Sequence, residues 1–324
     1  MTDILSLATS NLLSPVILCF VLGLFAALAK SDLSIPEAAA KTLSIYLLFA
    51  IGFKGGVSVA GYGLSGLLLI SLLAGILLSA CLPFVAFILL RYMTTLDRLN
   101  AAAVAGHYGS ISIVTFVAGT TMLEQNGIES EGFMVAVAAI MEAPAILSAL
   151  WLVTRGDNER RMDGDLTREI LLNGSIVLLV GSFLIGIATG EDGLSRISSF
   201  IVSPFQGVLC LFMLDMGLVA GRSLLQSYRS INRSLVLFGL LMPLAGASIG
   251  LAFAMVIGLS TGGVVLLMIL SASASYIAVP AAMRVALPEA DPGIYLTLSL
   301  GITFPFNLTI GIPLYLAVSQ LLAG

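Results

Sequence analysis

The chain carries an internal repeat at an offset of 161 residues. The residues that recur are those that break or polarise an apolar helix, and not the generic Leu and Val of any apolar segment. The matching pairs are Lys54 and Asp215, Gly56 and Gly217, Ser110 and Ser271, Ser112 and Ser273, and Pro144 and Pro305. Polar interruptions at corresponding positions of two apolar halves indicate the binding site of a transporter.

The composition restricts the medium in which the chain folds. Of 324 residues, 59% are hydrophobic and only 10% are charged, whereas a soluble domain carries about 25% charged residues. A water-facing surface cannot be built from this composition, so we expect the solvent to be lipid. The net charge of −4 is spread over loops, and we expect no nucleic-acid partner.

Few residues suit enzyme or metal chemistry. Cys19, Cys81 and Cys210 lie inside apolar runs and are typical of free thiols. The single histidine, His107, belongs to no His/Cys cluster, and the sequence has no G-x-S-x-G or H-E-x-x-H motif. We therefore expect neither an enzyme nor a bound cofactor.

Hydropathy predicts an all-α polytopic membrane protein with ten transmembrane helices, since a span needs about 20 apolar residues. The first ten residues contain no Lys or Arg, so we expect no cleaved signal peptide. The second predicted span is short. The predicted spans are 11–29, 37–54, 64–91, 99–125, 132–154, 169–190, 198–221, 233–260, 262–287 and 294–321.

Charge asymmetry orients these spans. The odd-numbered loops and their flanks hold 12 of the 14 basic residues, whereas the even-numbered loops hold Arg196, with Lys54 near a helix end. The positive-inside rule then places the odd loops in the cytoplasm and both termini outside, in the periplasm of a bacterial inner membrane. The 12 residues are Lys30, Lys41, Arg91, Arg98, Arg155, Arg160, Arg161, Arg168, Arg222, Arg229, Arg233 and Arg284.

Five spans in each half make the repeat an inverted one, because the second half enters the membrane in the opposite sense. We expect a first five-helix repeat over 1–154, a cytoplasmic linker over 155–168 and a second repeat over 169–324. The linker is the only long hydrophilic stretch, RGDNERRMDGDLTR, and is too short to form a domain.

Spans four and nine carry the polar interruptions, GHYGSIS ending at Ser112 and SASAS over 271–275. Glycine and serine favour an unwound helix, whose broken ends can direct helix N-termini at an anion. We expect Gly109, Ser110, Ser112, Ser271, Ser273 and Ser275 to bind the substrate. The alternative is that these small residues only let helices pack closely.

Lys54 and Asp215 are charges inside apolar segments, which indicates function. They would exchange partners during transport, or Lys54 would add positive charge near an anion. The alternatives are a static ion pair or a Lys54 side chain that reaches the membrane surface.

Glu142 stands two residues before Pro144, where a loosened backbone exposes carbonyl oxygens. A Na⁺ site of Glu142, Thr115 and Asn307 is the functional interpretation, with the hydroxyl of Ser112 as a further ligand. A Glu142 that only holds helices together is the alternative. His107 can titrate near neutral pH, although a lone histidine in a bundle more often serves packing.

At these residues the chain resembles the sodium-dependent bicarbonate transporter family. The similarity covers nearly the whole chain except the central loop. The segments that carry it are SIPEAAAKTL, AIGFKGGVSV, MLEQNGI, IMEAPAI, TGGVVLLMILSASAS and GIPLYLAVSQLLAG. The resemblance implies two inverted halves, a core domain that moves against a gate domain, each formed from both repeats, and a homotrimer. It also implies substrate and Na⁺ sites near the breaks of spans four and nine, and regulation by a PII-like protein.

The chain departs from the family pattern at several positions. It has Tyr276 and Glu142 where cyanobacterial members have aspartates, and it carries the Lys54 and Asp215 pair. It reads Ser112-Ile113-Val114-Thr115 where they have Ser-Gly-Ser-Thr. A fixed ammonium at Lys54 can replace a bound Na⁺ in holding an anion.

Two transport hypotheses remain open at this point. The first is a secondary active transporter that takes up bicarbonate by Na⁺ symport with alternating access. The second is a transporter of another small anion, such as a short carboxylate. It would be coupled to protons through Glu142, His107 or the Lys54 and Asp215 pair, or would use Lys54 in place of Na⁺.

Overall fold

The computed structural model describes residues 13–63, 65–154, 172, 174–227, 232–276, 279–280, 282–283 and 287–323. Every regular element within these ranges is a helix, which confirms the predicted all-α class. The predicted linker 155–168 lies outside the described residues, as do the basic residues Arg229 and Arg284.

The main helices within the described ranges are numbered α1 to α12 in chain order. They are α1 (Pro15–Leu28), α2 (Glu37–Tyr62), α3 (Gly66–Met93), α4 (Arg98–Gly109), α5 (Ile113–Gln125), α6 (Met134–Ile140), α7 (Glu142–Thr154), α8 (Gly174–Ile201), α9 (Phe205–Ser227), α10 (Arg233–Ile257), α11 (Thr261–Ala272) and α12 (Pro292–Leu322). Two stretches of α12 are π-helical, Thr297–Thr303 and Asn307–Gly311.

The helices have the length and apolarity of membrane spans. Within the described residues, eight helical segments can cross a bilayer, counting α4 with α5 and α6 with α7 as single segments. The apolar helices α1 and α11 are shorter, with 14 and 12 residues. The chain is therefore a multi-pass membrane protein.

Two predicted boundaries are wrong. The second span does not end at Lys54, because α2 continues through Gly55 and Gly56 to Tyr62. The seventh predicted span starts too early, since residues 198–201 still belong to α8 and α9 begins at Phe205. The helix α8 instead bends at Gly190, which has a φ of 57° and a ψ of −153°.

Glycines bring two pairs of helices into backbone contact. A Cβ added at Gly217 of α9 would overlap the carbonyl oxygen of Phe20 in α1, and one at Gly56 of α2 would overlap that of Phe183 in α8. The partner helices repeat the arrangement in return, with Gly23 against Leu214 and Gly186 against Phe53. Close packing of this kind drives association in lipid, where the hydrophobic effect between helices is absent.

The other helices pack around α4, α5 and α11. In the segment Arg98–Gln125, which comprises α4 and α5, residues 101–119 are all buried. The helices α3 and α7 pack against α4, while α5, α10 and α12 pack against α11. The surrounding helices contain internal prolines, among them Pro83 in α3 and Pro243 in α10. The broken segments therefore lie in the centre of the bundle, away from lipid.

We expect Gly217→Ala and Gly56→Ala to lower the free energy of unfolding by roughly 1–3 kcal/mol each, since the added methyl group meets backbone that cannot rotate away. The measurement is the melting temperature in detergent. Gly181→Ala in α8 is the matched control, because open space surrounds it. Alanine has the higher helix propensity, so this control should hold or gain stability. Equal behaviour of the three variants would contradict the glycine contacts.

Candidate functional site

The fourth span is interrupted at Ser110–Ser112, as the sequence predicts. The helix α4 ends at Gly109, and Ser110 is extended, with a φ of −86° and a ψ of 166°. Ser112 then caps α5, because its Oγ accepts the N–H of Thr115 at 3.2 Å and the Thr115 hydroxyl at 2.9 Å. The first N–H groups of α5 therefore point into the interruption, where no helical partner exists for them.

The ninth span has a matching interruption. The helix α11 ends at Ala272, and Ser273 is extended, with a φ of −84° and a ψ of 163°. These angles differ from those of Ser110 by only a few degrees. Residues 273–276 are not helical. In both spans the helix therefore ends at a serine with extended backbone angles.

The two interruptions are joined to each other by hydrogen bonds. The N–H of Ser112 donates to Ser273 Oγ at 3.0 Å, and the N–H of Ser275 donates to the carbonyl of His107 at 2.8 Å. The hydroxyl of Ser273 in turn donates to the carbonyl of Leu270 at 3.0 Å. The structure therefore brings the predicted residues Ser112, Ser273 and Ser275 together.

Other predicted substrate residues have different surroundings. Gly109 lies against the ring of Pro83, where a Cβ would not fit. The hydroxyl of Ser271 faces α10, where a Cβ added at Gly250 would lie 2.7 Å from it, and it has no hydrogen-bond partner. Gly109 and Ser271 thus contribute to close helix packing at the interruptions.

Glu142 lies at a third interruption, between α6 and α7, and is 5% exposed. The hydroxyl of Ser110 donates to Glu142 Oε2 at 3.0 Å. Ser79 of α3 bridges this interruption, since its hydroxyl donates to the carbonyl of Met141 and accepts the N–H of Ala145 at 3.1 Å. Glu142 is therefore tied to the end of α4 through Ser110.

The three predicted Na⁺ ligands have separate partners in this conformation. Thr115 bonds to Ser112, and Glu142 accepts from Ser110. The amide nitrogen of Asn307 donates to the carbonyl of Ala272 at 2.9 Å, next to the ninth-span interruption. Within the described residues there is no group of three or more His, Cys, Asp or Glu side chains that could hold a metal ion.

His107 is fully buried near the end of α4. Its Nδ1 lies 2.7 Å from the carbonyl oxygen of Ala103. A carbonyl only accepts, so Nδ1 carries the hydrogen and Nε2 holds a free lone pair. The ring stacks on Tyr295 with a centroid distance of 4.5 Å, and Nε2 has no hydrogen-bond partner.

Sequence reasoning did not assign a role to Tyr276, which directly follows the serines of the ninth span. Its side chain is 7% exposed, and its hydroxyl has no hydrogen-bond partner. The sequence signal was available, because SASASY places one large polar-tipped ring at the end of a run of small residues. The interruption therefore contains a buried donor that the repeat alone does not indicate.

A cavity of about 560 Å³ lies next to the interruptions, between α2, α5, α9 and the segment 127–132. Among the described residues, Lys54 is the only basic one in its lining, and the Lys54 Nζ lies 5.2 Å from the ring centroid of Phe205. Glu131 also lines the cavity, but its carboxylate accepts the N–H of Ser260 at 2.7 Å and the Ser260 hydroxyl at 3.0 Å. Glu131 thus caps the start of α11.

Lys54 and Asp215 form no ion pair in this conformation. Lys54 of α2 is exposed to the cavity beside Phe205, the first residue of α9. Asp215 lies further along α9, is buried and interacts electrostatically with Arg222. Ten residues of helix separate Phe205 from Asp215, which is about 15 Å along the axis. The predicted static pair is therefore absent here.

Residues 15–320 match the family model described as the Na⁺-dependent bicarbonate transporter superfamily. No curated protein matches the chain.

We expect Ser273→Ala to lower the free energy of unfolding by about 1–3 kcal/mol, because it leaves the buried N–H of Ser112 without an acceptor. Thermal unfolding in detergent measures the effect. Ser248→Ala is the control, since that exposed hydroxyl bonds only to Leu244 in its own helix. Equal melting temperatures for the two variants would show that the cross-link between the interruptions adds no stability.

Proposed function

The chain belongs to the Na⁺-dependent bicarbonate transporter superfamily, and from this premise we propose that it is a secondary active transporter that takes up bicarbonate together with Na⁺. The family is one of transporters and not of enzymes. The single observation that carries the proposal is the hydrogen-bonded crossing of two interrupted spans in the centre of the bundle, at Ser112 and Ser273.

The crossing supplies what a small anion needs in an apolar medium. The start of α5 carries the partial positive charge of a helix N-terminus and unpaired N–H groups. Serine hydroxyls add neutral donors without a fixed countercharge. The substrate site of the proposal is formed by Gly109, Ser110, Ser112, Ser271, Ser273 and Ser275. Ser112 and Ser273 lie nearest the crossing, and Gly109 and Ser271 shape it.

We propose ten spans in two inverted halves, 1–154 and 169–324. The equivalence of the glycine contacts supports this arrangement, because Gly56 and Gly217 meet partner backbones in the same way. The helices α1, α2, α8 and α9, which pair through those glycines, would form the gate domain. The remaining helices would form the core domain that carries the site.

Alternating access would consist of the core rocking or sliding against the gate. The cavity lined by Lys54 lies between proposed gate helices, α2 and α9, and proposed core helix α5. It also reaches Glu129 and Glu131, in the loop that the charge pattern places outside. This supports an outward-facing entrance in which Lys54 attracts the anion. An exchange of partners between Lys54 and Asp215 stays a prediction.

Na⁺ is the proposed coupling ion, with Glu142, Thr115 and Asn307 as its candidate ligands. These residues supply a carboxylate, a hydroxyl and an amide oxygen, which are the hard oxygen donors that such a cation prefers. All three side chains are buried. Hydrogen bonds to Ser110, Ser112 and Ala272 place them at the interruptions. Binding of Na⁺ through the amide oxygen of Asn307 would compete with the hydroxyl of Tyr315, which donates to that oxygen at 2.9 Å.

The cellular setting is proposed from the charge pattern and the family resemblance. We expect a bacterial inner-membrane protein with both termini in the periplasm. A homotrimer and regulation by a PII-like protein are predictions from the resemblance alone.

A second candidate is a transporter of another small anion, driven by protons. His107 Nε2 motivates it, because this ring nitrogen has a free lone pair and is the atom at which a transported proton would bind. Glu142, at the interruption between α6 and α7, is a second proton acceptor. In a further variant of this candidate, Lys54 takes the place of Na⁺.

The test of the proposed function is uptake of labelled bicarbonate into proteoliposomes. We expect uptake that depends on an inward Na⁺ gradient and is abolished in Ser112→Leu and Ser273→Leu, since the bulky side chains fill the crossing. Uptake driven by a pH gradient in Na⁺-free buffer would favour the second candidate. No bicarbonate uptake under either gradient would contradict the proposal.

We expect Lys54→Gln to raise the KM for anion uptake about tenfold at low ionic strength, because the entrance loses its only basic side chain. Lys54→Arg, which keeps the charge, is the control. High salt should shrink the difference between the wild type and Lys54→Gln, since exposed charges are screened. An unchanged KM for Lys54→Gln would remove Lys54 from the entry path.

A further inference from the structure

Tyr276 carries a buried hydroxyl for which the described part of the chain offers no hydrogen-bond partner. Its side chain is 7% exposed, and the hydroxyl oxygen has no hydrogen-bond partner. Burying a hydroxyl without a partner is unfavourable, and more so in a bundle surrounded by lipid. Such a group calls for an explanation, and a bound ligand that accepts its hydrogen bond would supply one.

The ring of Tyr276 is held firmly. Its edge packs against Phe304 of α12, with ring centroids 5.1 Å apart and planes at 65°. Phe304 in turn packs against Phe20 of α1 in the same edge-to-face manner, at 5.2 Å and 77°. The contact with Phe304, itself held by Phe20, therefore restricts the direction of the phenol, which makes its hydroxyl a positioned donor.

Ser112 is the polar neighbour of the Tyr276 hydroxyl, but the approach lacks the geometry of a hydrogen bond. Ser112 Oγ already accepts from the N–H and the hydroxyl of Thr115. A hydroxyl oxygen has two lone pairs, so Ser112 has no acceptor site left for Tyr276. The O–H of Tyr276 and the N-terminus of α5 are therefore neighbours that form no hydrogen bond with each other.

Two other buried tyrosines show that the chain normally satisfies this group. The hydroxyl of Tyr108 lies 2.7 Å from Thr303 Oγ1. The hydroxyl of Tyr315 donates to Asn307 Oδ1 at 2.9 Å. Tyr276 differs from both, although it lies in the same core.

We infer that Tyr276 is a substrate-binding residue whose hydroxyl donates a hydrogen bond to an oxygen of a small planar oxyanion at the crossing. This inference rests on the proposed function and adds a residue to its site. One oxygen of the anion would face the N–H groups at the start of α5 and the other would accept from Tyr276. A halide is a single atom and lacks two separate acceptor oxygens. The arrangement therefore selects oxyanions over halides of the same charge.

The experiment compares Tyr276→Phe with Tyr108→Phe, which removes a satisfied hydroxyl near the same interruption. The melting temperature of each purified protein is measured in detergent with the sodium salts of chloride, bicarbonate, formate and nitrate. Binding to the folded state alone raises the melting temperature. We expect oxyanions, and not chloride, to stabilise the wild type.

Tyr276→Phe should melt at or above the wild-type temperature in chloride, because it removes an unpaired polar group. Its stabilisation by oxyanion should be lost, with the apparent Kd raised about tenfold or more. Tyr108→Phe should melt lower in chloride and keep its response to oxyanion. Tyr276→Met, which also lacks the hydroxyl, replaces the phenylalanine variant if that variant does not fold.

Tyr276→Phe that keeps the full oxyanion response would overturn the inference, as would a wild type stabilised by no oxyanion. A wild type that responds to formate or nitrate but not to bicarbonate separates the two claims. In that case loss of the response in Tyr276→Phe supports the role of Tyr276, while the bicarbonate substrate of the proposed function is wrong.

Discussion

An interrupted helix in an apolar surrounding must find partners for the backbone groups that it frees, and this protein solves the problem by pairing two interruptions. The N–H of Ser112 reaches the hydroxyl of Ser273, and the N–H of Ser275 reaches the carbonyl of His107. Neither span could open alone without leaving buried backbone unpaired. The polar centre of the bundle exists because the two spans cross there.

The surrounding helices keep this crossing away from lipid. The interruption of α6 and α7 is sealed by Ser79 and tied to α4 through Ser110 and Glu142. The helices α1, α2, α8 and α9 are joined in pairs by glycine contacts, which give firm units without polar bonds. The aromatic contacts from Phe20 through Phe304 to Tyr276 connect one such pair to the crossing. Movement of α1 relative to α12 would therefore reach the proposed substrate site.

Part of this arrangement could be predicted from the sequence. Glycine and serine inside apolar runs indicated the two interruptions. The offset of 161 residues paired Ser112 with Ser273, and a hydrogen bond joins these two residues in the structure. The length of α2 was misjudged because Gly55 and Gly56 suggest a helix end. They are instead the positions at which α2 touches its neighbours, Gly55 at Val135 and Gly56 at Phe183.

Side-chain partners could not be predicted, because they depend on depth and rotation within the bundle. Glu142 bonds to Ser110 and not to Ser112 or Thr115, since α7 starts beside the end of α4. Lys54 and Asp215 match by offset, but Lys54 of α2 lies beside Phe205 at the start of α9, whereas Asp215 is buried ten residues further along α9. The run SASASY draws attention to Tyr276, but whether its hydroxyl has a hydrogen-bond partner depends on the packing around it.

The most direct measurement is an experimental structure determined in the presence of bicarbonate and Na⁺. Density for the anion should lie between the start of α5 and the ninth-span interruption, within about 3.5 Å of the Ser112 and Tyr276 hydroxyls. Anion density confined to the Lys54 cavity, with the crossing of Ser112 and Ser273 closed and empty in a protein that transports bicarbonate, would contradict the central claim.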